Sequence, residues 1–182
     1  MTIYNTFSRF IIGVSFLSIS LSLIANPALE EVVVSARKVD ESVQDVPIAM
    51  SVFTSSDISD AGIERPEDFI ALTPNVVMAN TVNVGDTLVT IRGLTSTRDA
   101  ESNFAFVVDG VLQTNPNAFN RELLDIAQIE VLKGPQGALY GRNATSGAIL
   151  ITTKAPSEES ESTAVVGMGI NNASKLQYVN SG

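Results

Sequence analysis

Apolar and polar positions change rhythm several times along the chain, and each change marks an element. Ile11 to Ile24 is an apolar run broken only by Gly13 and serines. Val32-Val33-Val34 is a strongly β-forming triplet with no alternation. Ile48 to Phe53 reads as a strand. Ser56 is placed to cap a short helix over Asp57 to Ala61, with Gly62 as its stop signal. Pro66 suits a first helical position, Glu67 and Asp68 suit the positive end of that helix, and Phe69 and Leu72 share one face until Pro74 ends it. Val76 to Met78 is a short strand, and Leu88 to Arg92 alternates until Gly93 breaks it. Phe104 to Val108 is continuously apolar, as a strand buried on both faces would be. Asp109-Gly110 is a two-residue hairpin signal, and Val111-Leu112 begins the return. Arg121 to Ala127 allows a helical turn. Three polar loops separate these pieces: Asn80 to Thr87, Thr95 to Asn103 and Gln113 to Asn120.

The chain is organised around Ile129 to Lys154, IEVLKGPQGALYGRNATSGAILITTK. Strand patterns at Ile129 to Leu132 and Ala148 to Ile151 flank four glycines: Gly134, Gly137, Gly141 and Gly147. Glycine allows positive φ and close backbone approach. The stretch therefore predicts a tight, buried turn region between two core strands rather than a linker.

The two ends differ in kind. Residues 1–28 predict a secretory signal peptide, since the apolar run is short and serine-rich for a membrane span. A single uncleaved anchor is the competing reading. The valine triplet is either the first strand of the fold or a strand lent to another protein by β-augmentation. Val39 to Val46 is polar and acidic, suiting a mobile tether, so residues 29–46 stand apart from a globular part that starts at Pro47. Ala155 to Ser162 reads as a linker. Thr163 to Asn171 is a weakly alternating strand, and Asn172 to Gly182 a turn and the start of another. The fold class predicted is α+β: a small mixed sheet with short helices over residues 47–156, followed over 157–182 by a linker and one or two strands that cannot satisfy their own edges.

Composition narrows the chemistry. The 182 residues carry a formal charge of −9, which offers nucleic acid no basic stripe. There is no histidine, cysteine or tryptophan. Thiolate metal sites and the commonest general base are thereby removed, and no metal site or cofactor is expected. The glycines fit neither a phosphate-binding loop nor GxGxxG. Asp125 and Glu130 lack a catalytic partner and read as surface groups or ion pairs. Asn143-Ala144-Thr145 matches a glycosylation sequon by chance. An enzyme is not expected.

In order along the chain, EVVVSA (Glu31 to Ala36), DVPIAMSVFTSSDI (Asp45 to Ile58), LTPNV (Leu72 to Val76), TIRGL (Thr90 to Leu94), FVVDGV (Phe106 to Val111) and the glycine-spaced stretch together resemble the N-terminal plug region of the TonB-dependent outer-membrane receptors. The resemblance implies a plug seated in a transmembrane barrel of about 22 strands. It implies that Glu31, Val32, Val33, Val34, Ser35 and Ala36 form a TonB box, gripped by strand addition when a periplasmic energy-coupling protein pulls. It implies that Arg92 and Lys133 face barrel carboxylates, with lysine where many relatives have arginine. It makes Gly93, Gly110, Gly134, Gly137, Gly141 and Gly147 structural glycines, and the three polar loops candidates for binding an extracellular ligand, most commonly a ferric siderophore. The implied location is the outer membrane, or the periplasm if no barrel follows. The chain reads as truncated, because a barrel of that size needs several hundred further residues. The competing function is a free periplasmic plug that acts as an interaction module for the coupling protein.

Overall fold

The structure is a computed structural model that describes residues 31–81, 87–97, 101–115, 119–156, 160–169 and 174–181. The chain divides into two units, residues 1–30 and residues 31–182. The predicted signal peptide, the centres of the three polar loops and part of the linker lie outside the described residues.

The second unit is built on a five-stranded mixed sheet. Its strands are β3 (Met50–Thr54), β7 (Phe104–Val108), β8 (Val111–Leu112), β9 (Ile126–Lys133) and β10 (Gly147–Thr153), in the order β3-β9-β10-β7-β8. β10 runs parallel to β7 and antiparallel to β9. A second sheet holds β4 (Val76–Asn80), β5 (Thr87–Ile91) and β6 (Leu94–Thr95). β1 (Val33–Val34) and β2 (Glu41–Ser42) form one hairpin, and β11 (Glu161–Met168) and β12 (Ser174–Ser181) another. The helices are short: α1 (Ser55–Asp60), α2 (Pro66–Ala71) and α3 (Gly137–Tyr140).

Alternation along the central strands assigns their side chains to two faces. One face carries the large residues Phe104, Phe106, Ile129, Val131, Ile149 and Ile151, packed against Phe69 and Ile70 of α2 and against Val76, Val89 and Ile91 of the second sheet. Phe119 meets both Phe104 and Phe106 edge-on, with centroids 5.2 and 5.0 Å away. The opposite face is lined by Ala105, Val107, Leu132, Ala148 and Leu150. Its small side chains let a further backbone segment approach closely, and Ala36, fully buried, packs there.

The continuously apolar strand at 104–108 is as expected, buried through Val107. So is its hairpin. Asp109 and Gly110 have φ of 48° and 79°, the left-handed pair of a type I′ turn. Several expectations are corrected. The first helix begins at Ser55 and is capped by Thr54, because the Asp57 carboxylate reaches back to the Thr54 N–H at 2.9 Å and closes a capping box. Leu72 is 54% exposed beyond the end of α2, and Phe69 shares the buried side with Ile70 instead. Residues 121–127 form no helical turn. Asp125 takes φ of 54°, and β9 already starts at Ile126.

The segment read as a tether, 39–46, is the return arm of a hairpin. Glu41 and Ser42 pair with Val34 and Val33, and the Val43 N–H donates to the Val32 carbonyl at 3.0 Å. The glycine-spaced region is closed at its base, where the Gly134 N–H donates to Ser146 O at 2.9 Å and the Gln136 N–H to Ala144 O at 2.7 Å. Its tip, Gly137 to Leu139, is exposed rather than buried.

Candidate functional site

Three parts of the unit carry residues singled out from the sequence. The first is the docked segment Glu31 to Ala36. Val34 is 1% exposed, whereas Val33 on the other side of the strand is 49% exposed. The Ser35 N–H donates to Glu130 Oε1 at 3.0 Å, and Ser35 Oγ lies 3.4 Å from the same oxygen. Gln128 Nε2 donates to the Val33 carbonyl at 3.0 Å, and the Tyr140 hydroxyl donates to the Ala36 carbonyl at 2.8 Å. β1 is therefore not unpartnered. It is paired with β2 on one edge and held to β9 and α3 by side chains. A cavity of about 520 Å³ beside it, lined by Ser35, Lys38, Asp40, Leu112 and Tyr140 among others, leaves the contact incomplete.

The second part is cationic. Arg92 and Gly93, with φ of 50° and 83°, are the two turn residues between β5 and β6. An arginine in the left-handed region is strained by roughly 1 kcal/mol or more, which makes its placement a feature to explain. Its guanidinium lies across Gly134, where a Cβ would come within 3.1 Å of Nη1. Lys133 is the preceding residue, with Nζ 3.0 Å from Ser51 Oγ. Burial pushes the Lys133 ammonium below its ordinary range, and the Arg92 charge pushes it the same way. Among the described residues neither cation has a carboxylate within ion-pair distance. Two like charges are thus brought together at the end of β9 with no described counter-charge.

The third part is the set of glycines. Gly93, Gly110, Gly134 and Gly141 all have positive φ. Gly147 is required for space instead, since a Cβ there would sit 2.3 Å from the Leu132 carbonyl oxygen. Gly137 is a correction. Its φ is not in the left-handed region and no described residue lies within 4 Å of where its Cβ would be, so neither conformation nor described packing demands glycine.

The family model of the TonB-dependent receptor plug domain matches residues 42–148, more than half of the chain. The chain belongs to the TonB-dependent receptor plug family. The plug is 30% identical over 126 residues to the pesticin receptor of Yersinia pestis, an alignment that covers 69% of this chain and 19% of that receptor. It is 28% identical over 159 residues to the vitamin B12 transporter BtuB of Vibrio vulnificus, covering 84% of this chain and 25% of the transporter. Among solved structures, the ferric yersiniabactin uptake receptor FyuA from Yersinia pestis superposes with a TM-score of 0.66 at 26% identity, over 72% of this chain and 21% of the receptor. The chain thus spans about a fifth to a quarter of the length of these relatives.

Within the plug, sequence reasoning misplaced one residue of the site and missed two more. Glu130 is not a surface group, and among the described residues it has no ion-pair partner. It is 2% exposed, its Oε2 has no hydrogen-bond partner among the described residues, and burial pushes its carboxyl above the ordinary range. Gln128 and Tyr140 were not singled out. The signal was present in β9, where Gln128 and Glu130 put two polar side chains on a face otherwise apolar at Leu132. Asp125 does pair, with Lys154 Nζ at 3.7 Å.

Proposed function

We propose that this chain is the plug part of an outer-membrane receptor for energy-coupled uptake, with Glu31 to Ala36 as the segment handed to the coupling protein. The observation that carries the reading is the docked strand β1. It is strongly β-forming, sits at the start of the unit and is held by a two-residue ladder, a few side-chain bonds and the burial of Val34 and Ala36, so only a short ladder must break for transfer to another sheet. Arg92 and Lys133 support docking in a barrel, because their charges await carboxylates that the described residues do not supply. The β11–β12 hairpin supports the start of that barrel. Ala164 and Val166 pair across it with Tyr178 and Leu176, and with Met168 they give a mainly apolar, exposed face of the kind a lipid-facing strand presents.

The substrate favoured is a ferric siderophore, since the ferric yersiniabactin receptor is among the relatives; a corrinoid is the second reading, favoured by the vitamin B12 transporter. The plug on its own, as an interaction module for the coupling protein, is the competing function, and it shares the same docked segment. The proposed location is the outer membrane.

Capture of the purified chain by the C-terminal domain of the coupling protein tests the shared step. Binding is expected, and deletion of residues 31–36 is expected to abolish it; equal capture without those residues overturns the assignment. Growth of cells that rely on the full receptor, supplied with a ferric siderophore or a corrinoid as the limiting nutrient, separates the two substrates.

The charge pair gives a further test. Lys133→Gln is expected to change the stability of this chain by no more than about 0.5 kcal/mol, in the stabilising direction, because it removes a like-charge contact at a partly exposed site. In the full receptor the same change is expected to weaken seating of the plug and lower uptake. Denaturant unfolding of the chain and transport by the receptor measure the two arms, and a large loss of stability in the isolated chain would count against the pairing role.

A further inference from the structure

The docked segment covers one ionisable group that the coupling reading does not use. Glu130 lies in register between Val52 of β3 and Leu150 of β10, on the sheet face that Ala36 covers. One of its oxygens takes the Ser35 N–H and lies 3.4 Å from Gln128 Nε2; the other is buried without a partner among the described residues. No described lysine or arginine is within ion-pair distance of it. The groups that face it are Ser35 and Asp40 from the hairpin, Gln128 on its own strand and Tyr140 on α3, with Lys38 stacked over the Tyr140 ring at 5.8 Å. A neutral carboxyl here leaves one unsatisfied polar atom. An ionised one leaves a charge cut off from water, which costs far more.

We propose that Glu130 is a proton-linked latch on the docked strand: a protonated Glu130 holds Val33 to Ala36 on the sheet, and its ionisation loosens them. The inference deepens the reading of Glu31 to Ala36 as a transferable segment, by naming what regulates its release. The electrostatics agree with the geometry. Desolvation is the largest influence on Glu130 and raises its pKa from the ordinary 4.5; Asp40 pushes the same way, and only the two Ser35 hydrogen bonds oppose them. Tyr140 is pushed up to about 12, by burial first and by Glu130 second, so it stays a hydroxyl donor across the range in which the latch works.

Undocking opens Glu130 to water and returns it toward its ordinary value. Between the two values the docked state binds more protons than the undocked one. Docking is therefore strongest in acid, constant below the ordinary carboxyl range, and weakens as pH rises through the raised value of the docked state. The proton lost on release goes to solvent.

The chain has no cysteine, so an introduced one is unique. The test compares thiol labelling of the full chain carrying Val34→Cys, a fully covered position, with that of the chain carrying Val33→Cys, a half-exposed neighbour. The ratio of the two rates cancels the thiol's own pH dependence and reads opening of the strand. It is expected to rise with pH, by about tenfold per unit at most, between the ordinary carboxyl range and the raised one, and then to level off. Adding Glu130→Gln is expected to flatten the profile. Tyr140→Phe is expected to raise the ratio while keeping its pH dependence.

A flat ratio in the chain that retains Glu130, or an unchanged slope with Glu130→Gln, overturns the latch. A carboxyl titration of Glu130 by NMR in the unsubstituted chain gives a second readout that needs no variant, and a midpoint at or below 4.5 also overturns it. Failure of coupling-protein capture leaves these readouts untouched, so the two readings fail separately.

Discussion

Gly147→Ala is expected to destabilise the plug by about 3 kcal/mol or more, at the upper end of overpacking effects. Gly147 opens β10 opposite Lys133, and its missing side chain points at the neighbouring strand. A methyl group there would lie 2.3 Å from the Leu132 carbonyl oxygen and 3.2 Å from Ile91 Cδ1. The first contact is with backbone in the middle of the sheet, which cannot turn aside as a flexible side chain can. Relief requires β9 and β10 to separate where Leu132, Ala148 and Ile149 are fully buried. The urea midpoint is expected to fall by roughly 1–2 M. Gly137→Ala is the control. It meets nothing, lies in a short helix and is expected to be neutral or stabilising by up to about 1 kcal/mol. Equal midpoints for the two variants would show that the β9–β10 spacing is softer than its geometry implies.

Two prolines in the docked segment are expected to act differently. The Val43 N–H bonds the Val32 carbonyl, and antiparallel residues alternate, so Val34 also turns its backbone groups toward β2 while Val33 turns its own away. The Val33 carbonyl accordingly accepts from Gln128 and not from β2. Val33→Pro removes a donor from the outward edge alone and is expected to leave the hairpin folded. It is expected to weaken capture by the coupling protein at least tenfold, about 1.4 kcal/mol, because an added strand has lost a bond along the edge it would use. Val34→Pro removes a donor directed at β2 and replaces a side chain that is 1% exposed, so it is expected to undock the hairpin as well. Titration calorimetry with the coupling domain, beside amide exchange of Val43, separates the two effects. Undiminished binding by the Val33→Pro chain would remove strand addition as the grip.

The elements that were legible are those whose signal is local. Continuous apolar residues at 104–108, the Asp109-Gly110 turn and Pro66 at the first position of α2 each carry their own physical cause within a few residues. The start of α1 was legible in principle, as a threonine three residues before an aspartate, but Ser56 offered a competing cap. What could not be read were elements held from a distance. β1 and β2 are two residues each and owe their order to Glu130, Gln128 and Tyr140, some 95 to 104 residues away. The same distance hid Glu130. A carboxylate inside a strand is unremarkable until something is known to cover it, and the cover comes from the other end of the unit. Arg92 and Lys133 were named through family resemblance. Their mutual proximity across Gly134 emerges only when the turn after β5 is folded onto the end of β9.

The position of β10 has a consequence for how the plug comes into being. It is the last of the five sheet strands in the sequence, yet it lies at the centre, joining β9 on one side to β7 on the other. Until β10 is available, β3 can pair only with β9, and β7 only with the two-residue β8. Both half-sheets then present open, apolar edges, and the pairing of Gly147 with Phe104 must close a long loop. Closure of this sheet is thus a late and concerted step, and a chain waiting for β10 exposes apolar edges that invite wrong pairing. A nascent segment that stops short of Gly147 is two unfinished sheets, not a smaller plug.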